Sequence, residues 1–167
     1  VLILIRHRDA PDRPRHAIGR RVFCNPDDAF LQSKPKYGLM TTAEVRSIAI
    51  AQLDIAPSTI VWDVGAGSGS VSVEAAQLAT EAAVYAIEMD AEDHGLIREN
   101  AERFGVANVV PVLGKAPAAW KSLPDPDAVF VAGSGREVTR ICEEAFKRLR
   151  TGGRLVVSLM AINDLAE

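Results

Sequence analysis

Short apolar runs alternate along this chain with stretches whose apolar residues recur three or four positions apart. The runs cover residues 60–64, 83–87, 109–113, 128–132 and 154–160, and each is nearly continuous, as a strand buried on both faces requires. Helical spacing fills the intervals. Val45, Ile48, Ala49 and Leu53 predict one face of a helix that Thr41-Thr42-Ala43-Glu44 opens with capping-box spacing, Thr41 bonding the Glu44 N–H, and that Pro57 closes. Val71, Ala75, Leu78 and Ala79 predict a second helix from near Ser70. A third spans 91–104 with Gly105 as its C-terminal cap, a short one contains Trp120, and Val138, Ile141, Cys142, Ala145 and Leu149 mark a last helix over 136–149. Strands alternating with helices imply right-handed crossovers, a mostly parallel, doubly wound α/β sheet, and ligands at the strand carboxyl ends. Thr41, Gly65 to Gly69, Glu88, Ala116 and Gly133 to Gly135 all map to that edge.

The first strand runs into Asp63-Val64-Gly65-Ala66-Gly67-Ser68-Gly69-Ser70. The Asp63 charge needs a partner inside a buried strand, either a ligand or a nearby loop. The glycines let the backbone turn tightly and approach whatever binds, and the helix that follows aims free N–H groups at the same spot, which favours an anionic group. A dinucleotide fingerprint needs glycine at its sixth position, where this chain has Ser70. Asp63-x-Gly65-x-Gly67-x-Gly69 instead resembles motif I of the S-adenosylmethionine-dependent methyltransferases with a Rossmann-like sheet. Glu88 ends the second strand about 20 residues after the glycines, where a carboxylate accepts from two ribose hydroxyls.

Composition narrows the class. With 167 residues, 48% hydrophobic and 25% charged, one globular domain is the expectation. A net charge of −3 argues against a general nucleic-acid binder. Cys24 and Cys142 read as free thiols of a reducing compartment, Cys142 as a small apolar residue on a buried helix face. No apolar run approaches the ~20 residues of a membrane span, so a cytoplasmic protein without membrane contact is expected. His7, His16 and His94 have no metal-ligand spacing, His94 reads as solvated, and neither a Ser-His-Asp signature nor an Asn-Pro-Pro-Tyr-like amino-methylation motif is present. No catalytic residue is assigned. Residues 1–22 read as the tail of an upstream domain, with a short strand at 1–5, and a basic linker that is a solvated connection or meets a polyanionic substrate. The working domain is read as 23–167.

Several segments together resemble one family. Asn25 to Phe30, Gly38 to Arg46, Trp62 to Val71, Gly114-Lys115-Ala116-Pro117 and Gly133-Ser134-Gly135 are similar to the decarboxylating methyltransferase domain of the precorrin-6Y C(5,15)-methyltransferases of cobalamin biosynthesis. The resemblance covers about residues 23–160. It implies the class I methyltransferase fold and S-adenosylmethionine as cofactor, held at Thr41, at Asp63 and Gly65-Ala66-Gly67-Ser68-Gly69, at Glu88 and at Ala116. It also implies a precorrin substrate, a homotetramer, and an upstream tetrapyrrole methylase domain in the same polypeptide. Lys115 stands where the family commonly has aspartate, and the family's sheet finishes with an antiparallel strand pair that residues 161–167 do not supply. By position, Arg46 and Gly133-Ser134-Gly135 are expected to face the macrocycle, the arginine gripping a carboxylate and the glycines admitting a flat ring. Two other readings stand beside this one: an RNA or protein methyltransferase of the same fold, and a non-catalytic nucleotide-binding domain.

Overall fold

The computed structural model describes residues 21–33, 40–133 and 137–159. The expectations about residues 1–20, Ser134, Gly135 and the chain's last strands therefore lie outside the described residues. After a 3₁₀ turn at Asp27–Ala29, the elements are α1 Ala43–Leu53, β1 Val61–Val64, α2 Ser70–Leu78, β2 Val84–Glu88, α3 Ala91–Phe104, β3 Val109–Leu113, a 3₁₀ turn at Ala118–Trp120, β4 Ala128–Val131, α4 Val138–Arg148 and β5 Arg154–Val157. The strands form one sheet in the order β3-β2-β1-β4-β5, every pair parallel. Val61 sits in register with Val84 on one side and Ala128 on the other.

Both faces of the sheet are covered, which is why its central strands read as apolar runs with no alternation. Val61, Val84, Ala128 and Phe130 pack with Ala49, Ile50 and Leu53 of α1 and Val71 and Ala75 of α2. The residues between them point the other way. Trp62, Val64, Val129 and Val131 meet Trp120 and the Val138, Ile141 and Ala145 stripe of α4, with Trp62 and Trp120 stacked at 5.2 Å between ring centroids. Period-2 geometry thus places Asp63 on the side of α1 and α2, below the glycine-rich turn.

One element, α1, departs from expectation in two respects. α1 begins at Ala43 with Thr42 as its N-cap and no side-chain capping bond. The proposed capping box is out of frame by one residue, since a Thr42 cap faces Val45 where an acid is needed. The buried face of α1 is also rotated: Val45 is 42% and Ile48 65% exposed, while Arg46, Ala49, Ile50 and Leu53 are buried. By contrast, α3 has the expected bounds because its end signals are local. Asp90 accepts from Glu92 N and Asp93 N, and Gly105 closes the helix in the left-handed conformation. Among the described residues, no helix is long and apolar enough to cross a membrane.

Candidate functional site

A cleft opens at the carboxyl ends of β1 and β4, where chain connections diverge to opposite sides of the sheet. Thr41, Asp63, Gly65, Ala66, Gly67, Ser68 and Gly133 line it, together with Gln32, Ser33, Met40, Ser70 and Asp93. Its floor is Asp63. This carboxylate is 1% exposed, and its Oδ2 accepts the Ser72 hydroxyl at 2.5 Å. Through that hydroxyl Asp63 holds the first turn of α2 from a neighbouring strand. Its other oxygen, Oδ1, is buried with no partner. Burial outweighs the Ser72 hydrogen bonds, and the nearby Glu88 charge adds to it, so the pKa of Asp63 is pushed up from 3.8 to about 7.

The three glycines after β1 are constrained differently. A Cβ on Gly65 would lie 2.0 Å from the Ala132 carbonyl oxygen, so this residue lets β1 and β4 close together. A Cβ on Gly69 would meet Ile97 of α3 at 3.1 to 3.3 Å. Gly69 therefore serves helix packing and does not line the cleft. At Gly67, φ is +55° and a Cβ would meet nothing within 4 Å. That empty space belongs to the cleft. Glu88 closes the turn from the β2 side: its Oε2 accepts Gly67 N at 2.8 Å, and its Oε1 accepts Met89 N and Asp90 N. Three amides thus fill most of the roughly four lone-pair positions of a carboxylate, and accepting two further hydroxyls requires one of them to let go.

Ala116 lies elsewhere. It packs against the cluster around Trp62 and Trp120 on the α4 side of the sheet. Beside it, Lys115 pairs with Glu137 at 2.8 Å on the surface, which lowers the Glu137 pKa.

Arg46 requires correction. Expected at the substrate face, it is 0% exposed and enclosed by its partners. Its Nη2 donates to Asn25 O at 2.5 Å, and its Nη1 donates to Thr41 O at 2.6 Å and pairs with Asp27 at 3.2 Å. Its Nε lies 3.1 Å from Glu74 Oε1, close enough for an ion pair but not aligned as a hydrogen bond. The guanidinium also sits 4.8 Å above the Phe30 ring. Fully enclosed, the guanidinium has no open face toward a macrocycle carboxylate. Glu74, which the sequence reading passed over, is equally buried and accepts Cys24 N, Asn25 N and Asn25 Nδ2. Its signal was present: an acid flanked by Val71, Val73, Ala75 and Ala76 must be paired if the helix is enclosed.

Comparison with known proteins shows which family and which solved structures the chain resembles. The family described as "Precorrin methyltransferase domain" matches residues 34–166. A protein of Pyrobaculum calidifontis named "Probable cobalt-precorrin-6B C(15)-methyltransferase (decarboxylating)" is 45% identical over 130 residues, covering 76% of this chain and 65% of that one. A precorrin-6Y C(5,15)-methyltransferase (decarboxylating) of Sinorhizobium is 37% identical over 132 residues, covering 79% of this chain and 31% of that one. The chain thus spans less than two thirds of the length of either relative. The crystal structure of precorrin-6Y C5,15-methyltransferase from Geobacter metallireducens superposes with a TM-score of 0.81 at 35% identity, covering 87% of this chain and 76% of that one.

Proposed function

The chain belongs to the precorrin methyltransferase domain family, and on that premise we propose that it methylates a carbon of a precorrin macrocycle from S-adenosyl-L-methionine and removes carbon dioxide from an acetate side chain, in cobalamin biosynthesis. The carrying observation is the cleft floor, where the orphaned Asp63 Oδ1 lies beneath a turn whose Gly67 leaves the space of a side chain open. Such a floor fits a ligand that is polar and presses against backbone. Thr41, Asp63, Gly65 to Gly69, Glu88 and Ala116 would hold the cofactor, Gly69 by shaping the turn and Ala116 from the α4 side. The cofactor supplies an activated methyl group on a sulfonium.

This chain's residues then have to orient and exclude water more than attack. Glu88 is held by three amides, so its carboxylate is directed before a diol arrives. Gly133 has φ +62° and open space at its Cβ position, which supports a flat ring approaching the backbone there. Arg46 has no part in that approach. From the resemblance, the reading extends to a cytoplasmic homotetramer and to an upstream tetrapyrrole methylase domain.

Calorimetry with S-adenosylhomocysteine, followed by mass spectrometry of tetrapyrrole products, tests the proposal. Binding is expected, with Glu88→Ala weakening it at least tenfold, because each lost charge-assisted hydrogen bond is worth roughly 1.5–3 kcal/mol. A parent protein that ignores S-adenosylhomocysteine, or that binds a nicotinamide dinucleotide more tightly, overturns the reading.

A further inference from the structure

We propose that Arg46, Glu74 and Asn100 form a buried latch that sets the outer wall of the cleft, and that Arg46 is thereby a positioning residue for cofactor binding. The inference rests on the cofactor reading above. It starts from an energetic oddity: Arg46 and Glu74 are both 0% exposed, and a buried ion pair gains little over a well-packed apolar pair once both charges lose their water. What such a pair supplies is direction.

The guanidinium joins three segments that are distant in sequence. Asn25 O and Asp27 belong to the strap that precedes α1, Thr41 O to the turn that leads into α1, and Glu74 to α2, which begins directly after the glycine-rich turn. Glu74 grips the same strap by accepting from the backbone of Cys24 and Asn25. A planar fork of five N–H donors can serve acceptors in several directions at once, whereas lysine has one nitrogen to place.

Asn100 of α3 repeats the pattern a short distance along the strap. It is 0% exposed, its Oδ1 accepts Leu31 N at 2.8 Å, and its Nδ2 donates to Leu31 O at 3.1 Å and to Ser68 O at 2.8 Å. Ser33 then bonds Asp93 of the same helix at 2.6 Å. Three of the tied points border or belong to the cleft lining, Leu31 beside Gln32 and Ser33, Thr41 at its own carbonyl, and Ser68 at the glycine-rich turn, while Cys24, Asn25 and Asp27 anchor the strap further back. The latch therefore fixes the distance between the wall made by the strap and Thr41 and the floor made by the turn.

Hydrogen exchange on the parent protein, with and without S-adenosylhomocysteine, together with calorimetry and melting of Arg46→Lys, tests the proposal. Residues 24–33, 40–46 and 65–73 should gain protection together on binding. Arg46→Lys keeps a positive charge beside Glu74 but loses the fork, so it should bind at least tenfold more weakly at temperatures well below its melting midpoint. Binding within twofold of the parent, or protection confined to 65–73, overturns the latch while leaving the cofactor reading intact. A parent that does not bind overturns both.

Discussion

Gly65, Gly67 and Gly69 look equivalent in the sequence, yet substitution should separate them by what each would strike. Gly67→Ala places its methyl in open cleft at φ +55°. The left-handed conformation costs an L residue roughly 1–2 kcal/mol, so the apo melting midpoint should fall only slightly. Affinity for S-adenosylhomocysteine should fall at least tenfold, since the methyl occupies ligand space. Gly65→Ala has the opposite profile, because its methyl would lie 2.0 Å from the Ala132 carbonyl oxygen and the backbone must move. Overpacking of about 1–3 kcal/mol, added to the same left-handed penalty at φ +76°, should appear in apo melting. Equal apo midpoints for the two variants would refute the distinction. Alternating glycines announce a turn at a strand end, but the carbonyl of Ala132 and the side chain of Ile97 come from 67 and 28 positions beyond Gly65 and Gly69, so which glycine serves the ligand is set by the neighbours the fold delivers.

Among the elements, α2 shows how a helix without a terminal glycine can still end cleanly. Asn108, just before β3, directs its side-chain Nδ2 at Ala76 O, Ala79 O and Ala82 O, at 3.1, 2.8 and 2.9 Å. Two N–H groups are shared among three carbonyls of the last turn and the segment after it. Asn108→Ala should cost roughly 1–3 kcal/mol, read as a lower urea midpoint at unchanged slope. Cofactor affinity should stay the same, because Asn108 sits at the amino ends of the strands, across the sheet from the cleft. A tenfold change in affinity would contradict that placement. The same dependence on distant partners explains α1. Val45 and Ile48 had the spacing of a buried face and lie in solvent, while the polar Arg46 lies inside. Helical periodicity assigns apolar residues to a common face, but it cannot say that a carboxylate waits behind the next one.

For the molecule as a whole, Asp63 links the cleft to global stability. Its pKa is about 7 in the fold against 3.8 unperturbed, chiefly because burial disfavours the charged form. Between those values the folded chain holds a proton that the unfolded chain has released, so the contribution is largest below pH 4 and is lost as pH rises to about 7. At about 1.4 kcal/mol per unit, the loss is on the order of 4 kcal/mol. Denaturant titrations from pH 5 to 7 should show the parent losing stability relative to Asp63→Asn, which carries no such proton. Parallel curves would show that the carboxylate is solvated.

Periodicity, helix caps and glycine spacing are local, and they determined the α/β class, the five strands among the described residues, the bounds of α3, and the strand edge at which the cleft lies. A strand buried on both faces must be apolar throughout wherever its partners are, so that much needs no tertiary knowledge. The interior charges were decided only by the fold. Arg46 is 21 residues from Asn25 and 28 from Glu74, and Glu74 is 49 from Asn25. An arginine at the start of a helix beside a ligand edge is equally suited to a substrate or to a buried acid. Which it meets depends on whether the strap brings enough acceptors over it to replace its water, a condition that exists only once the chain has closed.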